Sequence, residues 1–151
     1  MRDKVINDAR ELGLEVNVQT LTRSTATAKE AAGAVGCEEA QIAKSLVFLA
    51  DGEPVLCIAS GAHRVDPKLL AEVLDAAEVT QASPDQVRAA TGFAVGGVPP
   101  IGHGLPVVLD EALLAHERVW AAAGDGYSLF CVDPRELERC TQAVVAPVGE
   151  Q

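Results

Sequence analysis

Hydrophobic and polar positions along this chain change period repeatedly, and the changes mark out its elements. Residues 2–12 are charged and helical in pattern, with Gly13 as the stop, which predicts an N-terminal helix. Three later helix starts place a capping residue before proline: Asp66-Pro67, Ser83-Pro84 and Asp133-Pro134. Gln86 and Glu136 follow the second and third at capping-box spacing, and Thr27 with Glu30 opens a further box in TAKEAAGAVG, which Gly36 would end. Between the helices, short apolar runs predict strands. Residues 45–50 (SLVFLA) and 55–59 (VLCIA) flank the turn Asp51-Gly52-Glu53-Pro54 and read as an antiparallel pair. Their near-continuous apolarity predicts burial on both faces. Further strands are predicted over 15–19, 78–81, 93–95, 107–109, 119–123, 128–132 and 144–147. Helices and strands interleave without a strict βαβ rhythm. The expected fold is therefore mixed α/β, a curved or closed mixed sheet with helices packed outside.

One stretch breaks the pattern. Residues 89–109 (AATGFAVGGVPPIGHGLPVVL) carry no charged side chain. Their length would suit a membrane span, but five glycines and three prolines exclude a helix interior. The stretch reads as a rigid apolar loop between extended segments. Gly96 and Gly97 lack a Cβ, so a ligand can approach bare N–H groups there, and Pro99 and Pro100 fix the direction of those groups. Such a loop suits holding a small polar group by main-chain contacts. Its one titratable side chain, His103, makes it a poor platform for acid–base work.

Composition narrows the function classes. The 151 residues suit one domain, 1–151, with a core of Ala, Val, Leu and Ile, since only 3% of residues are aromatic. The N-terminus is charged rather than apolar, so no signal peptide or membrane span is expected. Cys37, Cys57, Cys131 and Cys140 show no metal-type spacing, and no metal or cofactor is expected. Cys57 and Cys131 sit in apolar runs as small core residues, and the chain is expected in the reducing cytoplasm. The net charge of −10 favours solubility and opposes unaided tight binding to a nucleic-acid backbone. Any nucleic-acid role must rest on a few local cations or on a partner.

Lys44 stands at the mouth of an apolar strand in QIAKSLVF. There it either snorkels to solvent or offers a fixed ammonium to a phosphate beside the glycine-proline loop. His103, between glycines, reads first as a structural hydrogen-bonder; His63 precedes a helix and His116 lies in a charged stretch. Gly124 serves either as a turn glycine or as a small-residue wall of the same pocket. There is no G-x-S-x-G elbow, no H-E-x-x-H and no P-loop.

Lys44-Ser45-Leu46, Ser60-Gly61 with Arg64-Val65-Asp66, Thr91-Gly92, Gly96-Gly97-Val98-Pro99-Pro100-Ile101-Gly102-His103 and Ala123-Gly124 together resemble the YbaK/EbsC family, over most of the chain from Thr27 to Val148. Those proteins are free-standing aminoacyl-tRNA deacylases related to the editing domain of bacterial prolyl-tRNA synthetases. The resemblance implies a curved, barrel-like mixed sheet surrounded by helices. It also implies hydrolysis of a small, wrongly attached amino acid (Ala, Cys, Ser or similar) from the 3′ end of aminoacyl-tRNA, typically tRNA(Pro). By position, Lys44 matches the family lysine that contacts phosphate near the terminal adenosine. Gly96 to Pro100 matches the loop that holds the aminoacyl group, with Gly96 and Gly97 as its backbone donors. Gly124 matches a glycine across the pocket. Ser45, Val98, Pro99, Pro100, His103, Ala123 and Gly124 are thereby expected at the substrate, with Ser45 either bonding a polar side chain or limiting volume. In the family the vicinal 2′-hydroxyl helps to activate or position water, so no protein nucleophile is needed. Many relatives carry Ser-Gly where this chain has Ala123-Gly124, which gives a more apolar wall. Prolyl-tRNA synthetase is the expected helper for an acidic chain. The second reading is a non-catalytic module that senses an aminoacyl or nucleotide end.

Overall fold

The computed structural model describes residues 2–150. The helices are α1 (Arg2–Glu11), α2 (Ala28–Val35), α3 (Pro67–Leu74), α4 (Pro84–Thr91) and α5 (Pro134–Thr141). The strands are β1 (Val18–Thr20), β2 (Ile42–Ala50), β3 (Glu53–Ser60), β4 (Arg64–Val65), β5 (Val79–Gln81), β6 (Val107–Asp110), β7 (Val119–Ala122), β8 (Ser128–Val132), β9 (Val144–Ala146) and β10 (Gly149–Glu150).

The capping chemistry is where the sequence places it. Asp66, Ser83 and Asp133 each accept a backbone N–H of the first turn of α3, α4 and α5, from Lys68 (2.9 Å), Gln86 (3.2 Å) and Arg135 (2.9 Å). Only α4 completes the reciprocal box, with Gln86 accepting the Ser83 N–H at 2.8 Å. At α5, Glu136 turns to Arg139 instead. At α2, the Glu30 carboxylate takes the hydroxyls of Thr27 and Ser24. An ion pair or a hydroxyl contact replaces the backbone contact in each case.

The hairpin β2–β3 runs in register from Ala43↔Ser60 to Ala50↔Glu53. Asp51 (φ 50°) and Gly52 (φ 85°) close it, the positive-φ pair that a two-residue hairpin turn requires. The main sheet has the order β1-β8-β7-β2-β3-β6-β9, with β5 also on β2; β4 and β10 form a separate pair. Its pairs are antiparallel except β2–β7, β3–β6 and β6–β9. It is a mixed sheet that remains open, ending on β1 and β9, rather than a closed barrel.

Both faces of the central hairpin are covered. Ala43, Val47, Leu56 and Ile58 pack with Val5 and Ala9 of α1, Val87 of α4 and Leu137 of α5. Phe48, Val55, Cys57 and Ala59 pack under Leu70 of α3. That two-sided burial explains the unbroken apolar runs. The uncharged stretch is the end of α4, a loop over 92–106 pinned to the first face by Phe93, Val98 and Ile101, and the start of β6. The strand expected over 93–95 does not form: Gly92 (φ 80°) turns the chain at the end of α4, and Phe93 drops into the core with no strand beside it. Among the described residues no helix is long and apolar enough to cross a membrane.

Candidate functional site

The site arises from a break in strand pairing. One edge of β2 is fully paired to β3. Its other edge is shared: β7 pairs Ile42 and Ala43, while β5 pairs residues 48–50, and the Ala82 N–H reaches the Val47 carbonyl at 3.1 Å. Lys44, Ser45 and Leu46 lie between the two partners. Gly61 N–H bonds Ile42 O, so the even residues of β2 turn their backbone groups to β3. Alternation then directs the amide and carbonyl of Ser45 into the gap.

A cavity of about 190 Å³ opens at this gap. Its floor is Ala43 to Leu46. One wall is the stretch Thr25–Ala28 leading into α2, and another is Val95, Gly96 and Val98, with Ala122 and Leu129 opposite. At that volume it suits a small group rather than the larger ligands of pockets of about 300–1,000 Å³. The first turn of α2 borders it, and a helix N-terminus favours negative charge. The lining includes no Cys, His or carboxylate.

Lys44 stands between this cavity and a larger one of about 510 Å³, whose lining includes Phe48, His63, Arg64 and Gln81. Leu46 also borders both. The Lys44 Nζ donates to the His63 carbonyl at 2.5 Å. Burial holds its pKa below the ordinary lysine range, opposed by Cys57 and by the carboxylates of Asp110 and Glu39. Behind His63 lies Asp110, only 1% exposed. Its Oδ2 lies 2.8 Å from His63 Nδ1 and accepts the Ser60 N–H at 3.1 Å; its Oδ1 accepts the Ala112 N–H at 3.0 Å. A buried carboxylate thus fixes the residue whose carbonyl holds the ammonium.

The structure brings Lys44, Ser45, Gly96 and Val98 together at the cavity. It sets the other expected residues apart from the lining. Gly97, Pro99 and Pro100 are buried and do not line the cavity. A Cβ on Gly97 would meet not a ligand but the backbone of Asp125, at 2.8 Å from its Cα. Gly97→Ala is therefore expected to destabilise the fold by about 1–3 kcal/mol through overpacking; a thermal melt indistinguishable from that of the wild type would show that this contact gives way freely. His103 donates Nε2–H to the Pro100 carbonyl (2.9 Å) and accepts the Leu105 N–H on Nδ1 (3.0 Å). Burial lowers its pKa, against the Pro100 bond, and it lines a different cavity beside Cys140. Ala123 is fully buried and Gly124 (φ 104°) turns the chain between β7 and β8, so the far wall is built by Ala122 instead. Cys57 is fully buried, its thiol pushed up to about 12 by burial first and Asp110 second.

Two features were not singled out in the sequence. The small residues Thr25 and Ala26, with the cap Thr27 and the first helical residue Ala28, form a wall, and its trace is the run T-A-T-A at the start of α2. Asp110 is the other, and its trace is a carboxylate closing an otherwise uncharged run.

A family model described as the aminoacyl-tRNA editing domain matches residues 22–140. The uncharacterized protein YwhH of Bacillus subtilis is 34% identical over 126 residues, covering 82% of this chain and 80% of that protein. The proline–tRNA ligase of Solidesulfovibrio magneticus is 35% identical over 109 residues, covering 71% of this chain. This chain spans only 19% of that ligase's length. Among solved structures, a candidate trans-editing enzyme for prolyl tRNA synthetase superposes with a TM-score of 0.92 at 43% identity, over 99% of this chain and 97% of the other.

Proposed function

The chain belongs to the aminoacyl-tRNA editing-domain family, and from that membership we infer that it is a trans-acting aminoacyl-tRNA deacylase, an ester hydrolase acting on mischarged tRNA. We take residues 1–151 as one editing domain, with tRNA(Pro) as the tRNA served. The observation that carries the detailed reading is the position of Lys44 between a small, mostly apolar cavity and a larger, more polar one. The aminoacyl group occupies the small cavity. The terminal ribose and phosphate of the 3′ end lie in the larger one, with the phosphate on the Lys44 ammonium and near Arg64.

The ester carbonyl then sits over the open edge of β2, where the Ser45 N–H and the first turn of α2 face developing negative charge. Gly96 and Val98 form the uncharged wall, while Gly97, Pro99, Pro100, Ala123 and Gly124 lie outside the lining and His103 faces a separate cavity. Water attacks the carbonyl carbon, the carbon–oxygen bond to the ribose breaks, and the departing ribose oxygen takes up a proton. As the family resemblance implies, the vicinal 2′-hydroxyl positions the water, a role consistent with a lining without Cys, His or carboxylate. Prolyl-tRNA synthetase supplies the tRNA affinity that a chain of net charge −10 lacks.

Purified protein incubated with Ala-, Cys- and Ser-tRNA(Pro) is expected to release amino acid catalytically. Saturable binding without ester loss would replace the enzyme by a sensor module.

A further inference from the structure

We propose that Thr25 and Ser45 form a paired-hydroxyl subsite that selects an amino acid with a side-chain hydroxyl, of which serine is the smallest; this rests on the deacylase reading above. Thr25 is 4% exposed, and its Oγ1 and the Oγ of Ser45 are buried with no hydrogen-bond partner among the described residues. Both residues line the small cavity. They arrive from different elements: Thr25 from the segment ahead of α2, Ser45 from the unpaired stretch of β2.

The neighbouring hydroxyls are already committed. Thr27 caps α2, and Ser24 accepts the Ala26 N–H at 3.2 Å and faces Glu30. Thr25 is pinned by its own N–H, which donates to the Gly126 carbonyl at 2.6 Å. Of the hydroxyls over 24–27, its own is the one left over, on a residue that borders a cavity whose other side chains are mostly aliphatic. Buried hydroxyls are ordinarily paired, so two orphans at one cavity call for a shared partner. A seryl hydroxyl has one donor and two acceptor sites, enough to donate to one orphan and accept from the other. An alanyl methyl satisfies neither, and a thiol is weak in both roles.

The test compares kcat/KM for seryl-, alanyl- and cysteinyl-tRNA(Pro) with the wild-type protein. The seryl ester is expected to exceed each of the others by at least about tenfold, the ratio that one neutral hydrogen bond supports. Thr25→Val and Ser45→Ala should each cut the seryl-to-alanyl ratio several-fold, while Thr25→Ser keeps it. Thermal melts identify any variant that fails to fold, and Ser45→Ala carries the test from β2 should Thr25→Val do so. A wild-type ratio near or below one, or a ratio unmoved in folded variants, overturns the subsite and leaves the deacylase intact. Hydrolysis of none of the three esters overturns both.

Discussion

Lys44→Ala is expected to lower kcat/KM for ester hydrolysis by about 10- to 150-fold while changing thermal stability little. The kinetic loss corresponds to one hydrogen bond to a charged group, about 1.5–3 kcal/mol. The small stability effect has a separate cause. Burial disfavours the charged form of Lys44, so removing the ammonium relieves desolvation while forfeiting the bond to the His63 carbonyl. The two changes oppose each other. The sign of the pH dependence follows. The protonated amine is the binding form, and its pKa lies below the ordinary lysine value. Activity, corrected for spontaneous ester hydrolysis, should therefore fall as pH rises, and should do so earlier than an exposed lysine would allow. Lys44→Arg should lose activity at every pH, because a planar fork does not replace a compact ammonium, and should show no such alkaline decline. A Lys44→Ala rate within threefold of the wild type would remove Lys44 from the site.

Much of the fold was legible because its signals are local. Proline after Asp66, Ser83 and Asp133 fixes three helix starts through φ and side-chain acceptors alone. The β2–β3 hairpin is legible from its apolar runs and its turn. The site was legible only in part, because a cavity is a property of pairing between distant segments. Lys44, Ser45 and Gly96 were expected at the pocket and lie there, although nothing local shows that β7 and β5 would leave 44–46 uncovered. Gly97, Pro99 and Pro100 share the uncharged character of Gly96 but are buried outside the lining, Gly97 against the backbone of Asp125. Phe93 looked like strand and became a core anchor, since strand formation needs a partner that the local run cannot supply. Thr25 carried no sequence signal beyond small size.

Asp110→Ala is expected to cost about 3 kcal/mol of stability, a fall in Tm of roughly 6–12 °C for a chain of this size. The carboxylate is the acceptor for the Ser60 and Ala112 amides and lies against His63 Nδ1. Removing it leaves buried donors unpaired, which costs more than the bonds themselves contributed. Asp110→Asn keeps one acceptor oxygen and should fall between the two. A purely structural carboxylate would stop there, but this one has a second consequence. His63 presents its carbonyl to Lys44, so freeing the His63 ring loosens the ammonium at the junction of the two cavities. In assays held well below the melting transition, Asp110→Ala should still lose ester hydrolysis. That loss should be much smaller in a Lys44→Ala background, because the two residues act through one contact. Losses that simply add across the cycle would confine Asp110 to folding and leave Lys44 held by other means.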